Sequence, residues 1–178
     1  MANTFQLINS YELTGATNFA SVTFTSIPQT YKDLVIWVGA RSNRLVTDGL
    51  ERVYLYMNGS SSGITMINTV IAGSSASSDS YTSAAGNGGT CGLCSNVYTT
   101  GNNFGFSMLY ISDYTTSNPK IGITSTTMPA TGIPNSPNGY SYGQSYGNST
   151  TSPITSITTG GLGSQWENKS SFYLYGIG

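Results

Sequence analysis

Apolar and polar residues alternate with a period of two along most of this 178-residue chain. Residues 21–25 (SVTFT) place Val22 and Phe24 on one face, and residues 52–57 (RVYLYM) repeat the pattern. Segments of helical period are absent or very short. Short alternating runs separated by Gly, Asn, Ser and Pro are typical of β-strands joined by turns. The chain is therefore expected to be all-β.

The alternating runs predict eight strands, at residues 21–25, 33–41, 52–57, 64–71, 104–111, 119–124, 153–158 and 171–177. The run at 33–41 is apolar on both faces, which predicts a central strand with Trp37 in the core. Residues 73–101 and 128–153 break the pattern and predict two long loops. We expect one domain over residues 1–178, an antiparallel jelly-roll-like β-sandwich of eight to ten short strands.

The scarcity of titratable side chains argues against catalysis. The chain has no His, two Cys, seven acidic and six basic residues. Proton-transfer enzymes depend on titratable groups held in pairs, most often with a His. The seven carboxylates show no spacing that singles out a hydrolytic pair. We expect a protein that is not an enzyme and that holds no cofactor or metal.

The charge balance also limits the partners. Nucleic acids and anionic membranes are bound mainly through Lys and Arg, and this chain has a net charge of −1 with scattered basic residues. The opening MANTFQLINS lacks the pattern of a secretory signal, and no apolar run reaches the ~20 residues of a membrane helix. A chain with so few charges is poorly protected against self-association, so we expect an oligomer.

One motif suggests sulfur chemistry. Cys91-Gly92-Leu93-Cys94 has the CxxC spacing of redox pairs and half zinc sites. A structural zinc needs about four ligands, and the chain offers two thiols without His. We favour structural thiols or a local disulfide between Cys91 and Cys94, with an intersubunit link and a metal or redox role as alternatives.

Aromatic residues supply the candidate contact sites. Tyr140, Tyr142 and Tyr146 fall on one face of an extended segment, where they could cover a neighbouring subunit or stack on a sugar ring. The subunit interface is the favoured interpretation. Trp166, next to Glu167 in a predicted loop, is expected to be an exposed contact.

A cluster of charge surrounds three arginines. Arg41, Arg44 and Arg52 lie near Asp48 and Glu51 in the sequence. The simplest interpretation is a solvated loop. The functional alternative is a polar anchor that forms bidentate Arg–carboxylate pairs with a partner surface.

Four ordered blocks resemble a family of small virion structural proteins from tailed bacteriophages. They are FTSIPQTYKDLVIWVGARS (24–42), MNG (57–59) with GSSASSDS (73–80), LYISDYTTSNPK (109–120), and ITSIT (154–158) with SFYLYGI (171–177). Together they span most of the chain. The CxxC insertion and the Tyr-rich stretch at 140–146 depart from the family pattern, so the resemblance implies nothing about them.

The resemblance implies a β-sandwich component of a phage particle without catalytic residues. The expected role is a capsid decoration or cement protein, made in the host cytoplasm and placed on the capsid surface. Its expected partners are the major capsid protein and further copies of itself, as a homotrimer. The alternative is a fibre or receptor-binding module that recognises a host surface glycan.

Overall fold

The computed structural model describes residues 5–15, 19–45, 49–60, 64–72, 75–82, 89–99, 103–128, 140–148, 151–161 and 163–178. At residues 66, 68, 70–72, 75–76, 79–82, 91 and 140–148 it describes the backbone alone. All regular structure in the described residues is β-strand. The all-β prediction is confirmed.

Twelve strands follow one another along the chain. They are β1 (Gln6–Glu12), β2 (Ser21–Phe24), β3 (Asp33–Ser42), β4 (Leu50–Met57), β5 (Ile64–Ala72), β6 (Ser75–Thr82), β7 (Gly89–Asn96), β8 (Gly105–Ile111), β9 (Lys120–Met128), β10 (Tyr140–Asn148), β11 (Ile157–Gly160) and β12 (Ser171–Ile177). Their hydrogen bonds join them into one mixed sheet that is curled nearly into a barrel.

The sheet has two walls. The eight-stranded wall has the order β1-β12-β3-β8-β9-β10-β5-β6, and the four-stranded wall has the order β2-β11-β4-β7. Neighbours within each wall are antiparallel. The walls join where Arg41 and Ser42, at the end of β3, pair in parallel with Ser95 and Asn96 of β7. This parallel junction departs from the purely antiparallel arrangement expected from the sequence, and jelly-roll connections stay a prediction.

The core fills the space between the two walls. Buried apolar side chains come from both, among them Leu34, Ile36, Val38, Val53, Leu55, Met57, Leu109, Ile111, Phe172 and Leu174. Each such side chain contributes about 1.5–3 kcal/mol through removal from water. Val22 and Phe24, predicted to share one face of their strand, are both buried, as are Val53, Leu55 and Met57 of β4.

Strand β7 approaches the eight-stranded wall unusually closely. Cys91 and Gly92 together oppose the single residue Val53 of β4, which makes a β-bulge. Gly92 has a φ of +149°, and a Cβ there would lie 2.3 Å from the Ser107 Oγ. Ser107 Oγ also donates to the Leu93 carbonyl at 2.9 Å. Glycine at the bulge therefore lets the two walls meet through small and hydroxyl-bearing residues.

The two predicted long loops contain strands. Stretch 73–101 holds β6 and β7, and stretch 128–153 holds β10. Each of these strands is hydrogen-bonded to at least one neighbour, and that pairing stabilises a Gly- and Ser-rich backbone despite its low strand propensity. The sequence also missed β1 and placed β11 a few residues early, whereas residues 171–177 form β12 as predicted. None of the described residues belongs to a helix that could cross a membrane.

Candidate interaction surfaces

The solvent side of the eight-stranded wall, here called the outer face, is rich in apolar side chains. One register row crosses it in the order Leu7, Tyr175, Val35, Tyr110, Ile123, Ser145 and Ile67. Opposed residues of a β-ladder share one side of the sheet, so the row forms a continuous band. The band reaches from the first strand of the wall to the seventh.

An aromatic cluster lies at one end of the outer face. Trp37 is at its centre, with ring centroids 4.8 Å from Tyr175, 6.4 Å from Phe106 and 6.5 Å from Phe5. Tyr173 stacks on Tyr175 at 6.5 Å with an interplanar angle of 25°. The ring planes of Phe5, Tyr175 and Phe106 are inclined to that of Trp37 by 41°, 53° and 64°. The cluster is thus a ridged surface rather than a flat one.

Exposed apolar residues concentrate on this face. Ten large hydrophobic side chains of the described residues are exposed, and six of them lie here: Phe5, Leu7, Ile67, Phe106, Ile121 and Ile123. Ile121 and Ile123, adjacent outward positions of β9, are 63% and 56% exposed. A contiguous exposed apolar patch on a protein surface generally marks an interaction site. The sequence analysis did not identify this surface.

The position of Trp37 corrects one prediction. Its side chain lies on the outer face and is only partly buried, while the core side of β3 is filled by Leu34, Ile36 and Val38. Because β3 is apolar on both faces, its pattern could not show which face was inward. Trp37 belongs to the candidate surface instead of the core.

Two tyrosine hydroxyls of the outer face bond to carboxylates within the chain. Tyr110 donates its hydroxyl to Asp33 at 2.7 Å, and this hydrogen bond is the main cause that raises the pKa of Tyr110 to about 12. Tyr173 donates to Glu12 at 2.7 Å, and its pKa is raised mainly for the same reason. Both carboxylates that the described side chains place on this face, Asp33 and Glu12, therefore accept a hydrogen bond from a tyrosine.

A second candidate surface lies at the end of the molecule where the two walls join. This surface, here called the junction end, includes residues 43–45 after β3, residues 97–99 after β7, residues 163–167, and Phe19, which bonds to Trp166. It carries three further exposed apolar residues, Phe19, Leu45 and Tyr98, and Leu45 is 78% exposed. Backbone bonds between Phe19 and Trp166, and between Asn43 and Gln165, hold the end together.

Arg41 at the junction end is not an exposed anchor. Its side chain is buried, with Nε 3.3 Å from the Glu167 carboxylate and 3.3 Å from the Asn96 carbonyl. Its Nη2 donates to the carbonyls of Val97 and Thr99 at 3.2 and 3.4 Å. The buried guanidinium bonds to three backbone carbonyls of residues 96–99, which corrects the solvated-loop and anchor interpretations for this residue.

Arg44 and Arg52 have different environments. Arg44 is partly exposed and forms an ion pair at 3.5 Å with Glu51, whose side chain is completely buried. Glu51 also accepts hydrogen bonds from the Ser164 hydroxyl at 2.5 Å and the Arg52 amide at 2.8 Å. The side chain of Arg52 is exposed. Of the three predicted anchor residues, Arg52 and part of Arg44 remain accessible to a partner.

The prediction that Trp166 is an exposed contact is wrong. It is fully buried, with its ring centroid 5.7 Å from that of Phe172 in the core. Backbone bridges to Phe19 and Ser42 draw it inward. The sequence predicted a loop at Trp166 and therefore an exposed side chain. The backbone of Trp166 instead pairs with Phe19 and with Ser42, so the side chain is buried.

Two predicted sites include side chains that lie outside the described residues. Cys94 is fully buried opposite Glu51, while for Cys91 only the backbone position in the bulge is described. The disulfide therefore stays a prediction. Tyr140, Tyr142 and Tyr146 lie on β10, which confirms the extended segment, but their side chains are outside the described residues.

The other titratable groups act within the fold. Lys120 is buried and donates from Nζ to the carbonyls of Thr116 and Asn118; burial lowers its pKa, partly offset by the charge of Asp113. Asp33 also accepts the Asp113 amide at 2.9 Å and so fixes the turn after β8. Within the described ranges, no three Cys, Asp or Glu side chains converge as metal ligands.

The comparisons with known proteins add little. No protein-family model and no curated protein matches the chain. Among solved structures it is similar to a protein of unknown function from Shewanella oneidensis MR-1, at 12% identity over 99% of this chain and 77% of that one, with a TM-score of 0.26. A likeness this low carries no argument about fold or function.

Proposed function

We propose that this chain is a structural protein of a tailed-bacteriophage particle, and specifically a capsid decoration or cement protein. The observation that carries the proposal is the segregation of its surface chemistry. Exposed apolar side chains gather on the outer face and the junction end, while Arg41, Glu51 and Lys120 are buried and bonded internally. Such a surface adheres through shape and apolar contact.

A cement protein needs two surfaces, one for its neighbours and one for the shell. In this proposal the junction end binds the major capsid protein, with Leu45 as its most exposed apolar side chain and Arg52 as a polar contact. The two walls act as the layers of a jelly-roll-like sandwich that spaces the surfaces apart. The proposed location in the phage particle rests on the ordered sequence blocks that resemble phage virion proteins.

The stabilising effect comes from repetition. Each copy adds a modest buried apolar area, and many copies on one shell would oppose the outward pressure of packaged DNA. Apolar contacts are only weakly screened by salt, unlike contacts between exposed charges. Attachment is therefore expected to persist at high ionic strength.

A quantitative gel of purified particles of the source phage tests this proposal. Hundreds of copies per particle, retained after a wash in about 1 M NaCl, are the expected result for a decoration protein held by apolar contacts. Absence from the particle would overturn the virion assignment. Release by salt alone would overturn the apolar attachment.

The rival function is a fibre or receptor-binding module for a host glycan. The stacked pair Tyr173 and Tyr175 is the feature that favours it, because sugar rings stack on aromatic faces. A few to a few dozen copies per particle, with glycan-array binding lost in Tyr175→Ala, would favour this role over decoration.

A further inference from the structure

We propose that the outer face binds the outer face of a second copy, so that the chain forms a two-fold symmetric dimer by sheet-on-sheet packing. The argument uses only the described geometry of this face and does not depend on a role in a virion. A two-fold axis brings the same surface together from both copies, so that surface must complement itself.

The extent of the face matches a stable interface. Seven strands, from β1 to β5 in sheet order, are separated by six spacings of about 4.8 Å and span about 29 Å, and seven residues along a strand add about 23 Å. The resulting area is about 670 Å², which lies within the roughly 600–1,000 Å² that each partner buries in a standard protein interface. Six of the ten exposed large hydrophobic side chains of the described residues lie within it.

The charge on the face also fits a second copy. Among the described side chains that the register places there, Glu12 and Asp33 are the only ionisable carboxylates and none is Lys or Arg. Both carboxylates already accept a tyrosine hydroxyl, from Tyr173 and Tyr110. A charged partner would bring further charges against this face at a high cost, whereas an identical face brings only its own Glu12 and Asp33, each already bonded to a tyrosine hydroxyl.

The ring geometry disfavours a polysaccharide as the occupant. A flat sugar platform presents near-parallel rings. On this face only Tyr173 and Tyr175 approach that arrangement, at 25°, whereas Phe5, Phe106 and Tyr175 are tilted by 41° to 64° against Trp37. The hydroxyl of Tyr173 bonds to Glu12. Ridges of tilted rings, by contrast, interdigitate well when two sheets pack about 10 Å apart.

Ile123→Lys tests the dimer at the middle of the outer face. Because Ile123 is 56% exposed, lysine there leaves the isolated chain folded. In the dimer the two-fold axis buries the new charge twice, so the dissociation constant should rise at least about a hundredfold. Leu45→Lys, at 78% exposed on the junction end, is the matched control and should leave the constant unchanged.

Sedimentation velocity of the purified chain from about 1 to about 100 µM provides the measurement, since weak dimers form in this range. Wild type and Leu45→Lys should sediment at twice the 18.7 kDa chain mass, and Ile123→Lys at the single mass. Ile121→Lys should behave like Ile123→Lys, which guards against one variant that misfolds; circular dichroism checks the fold of each.

Three outcomes would overturn the dimer. They are a monomeric wild type over this range, a wild-type trimer, and an association that Leu45→Lys abolishes while Ile123→Lys does not. A monomer that binds a polysaccharide would assign the face to the rival glycan. The sedimentation experiment uses the isolated chain. A result that overturns the dimer would therefore leave the proposed virion role unaffected, because that role is tested by the gel of purified particles.

Discussion

The hydroxyl of Tyr110 donates a 2.7 Å hydrogen bond to the carboxylate of Asp33 across β8 and β3. Asp33 is buried, and its other oxygen accepts the amide of Asp113 in the turn after β8. This arrangement ties the start of β3 to the end of β8. It also places an ionisable phenol beside a carboxylate, which gives the fold a measurable dependence on alkaline pH.

Tyr110 should contribute stability that is lost at high pH. Its pKa is about 12 in the folded chain against an ordinary value of 10.0, so the folded state holds the proton more tightly. The contribution is complete below pH 10 and disappears as the pH rises from 10 to 12. Urea unfolding of wild type and Tyr110→Phe across this range should show the larger decline in wild type.

Near-ultraviolet titration gives an independent check on the same residue. Tyr110→Phe should remove a tyrosine that ionises near pH 12 from the titration curve of the wild type. At neutral pH Tyr110→Phe should cost about 1 kcal/mol through the lost hydrogen bond. An unchanged titration above pH 11 in Tyr110→Phe would contradict the bond to Asp33.

The two tryptophans should respond very differently to truncation. Trp166→Ala removes a fully buried ring from the core and should lower the free energy of unfolding by about 3–5 kcal/mol. Trp37→Ala, on the outer face, should cost clearly less in the monomer. Guanidinium unfolding of both variants measures the contrast, and equal losses would contradict the placement.

A conservative change at Trp166 sharpens this test. Its indole Nε1 is buried and has no hydrogen-bond partner among the described groups, so Trp166→Phe sacrifices no bond. The loss should therefore stay well below that of Trp166→Ala. A similar loss in both variants would point to an unrecognised bond at Nε1.

Substitutions of Arg44 and Arg52 should have different effects on the free energy of unfolding. Arg44→Met leaves the buried Glu51 carboxylate without its cationic partner and should cost about 3 kcal/mol. Arg52→Met changes an exposed side chain and should stay within about 0.5 kcal/mol. Thermal unfolding at neutral pH distinguishes them; equal effects would mean that Arg44 does not neutralise Glu51.

Gly92→Ala should be costly at the bulge of β7. A Cβ would lie 2.3 Å from the Ser107 Oγ and 2.9 Å from the Thr126 Oγ1, at a φ of +149°. Overpacking and strain together predict a loss of about 2–4 kcal/mol. Gly178→Ala, where a Cβ meets nothing within 4 Å, is the control in the same chemical unfolding experiment.

The sequence alone determined the class of the fold and much of its core. The turn at Asn58 and Gly59 is an example, since both residues tolerate positive φ and both adopt it, at 51° and 74°. The alternation along β4 likewise placed Val53, Leu55 and Met57 on one face, and all three are buried. These features are local, because the information needed to form them lies within a few neighbouring residues.

The tertiary structure decided which strands form in the Gly- and Ser-rich stretches and which face of each strand points inward. In β9, Ile121 and Ile123 are exposed, while Gly122 and Thr124 are buried. The bulged β7 lies so close to β8 and β9 that small side chains are needed on their inner side, as at Ser107 and Thr126. Alternation reveals that the two sides of a strand differ, but only the neighbour across the core decides which side it covers.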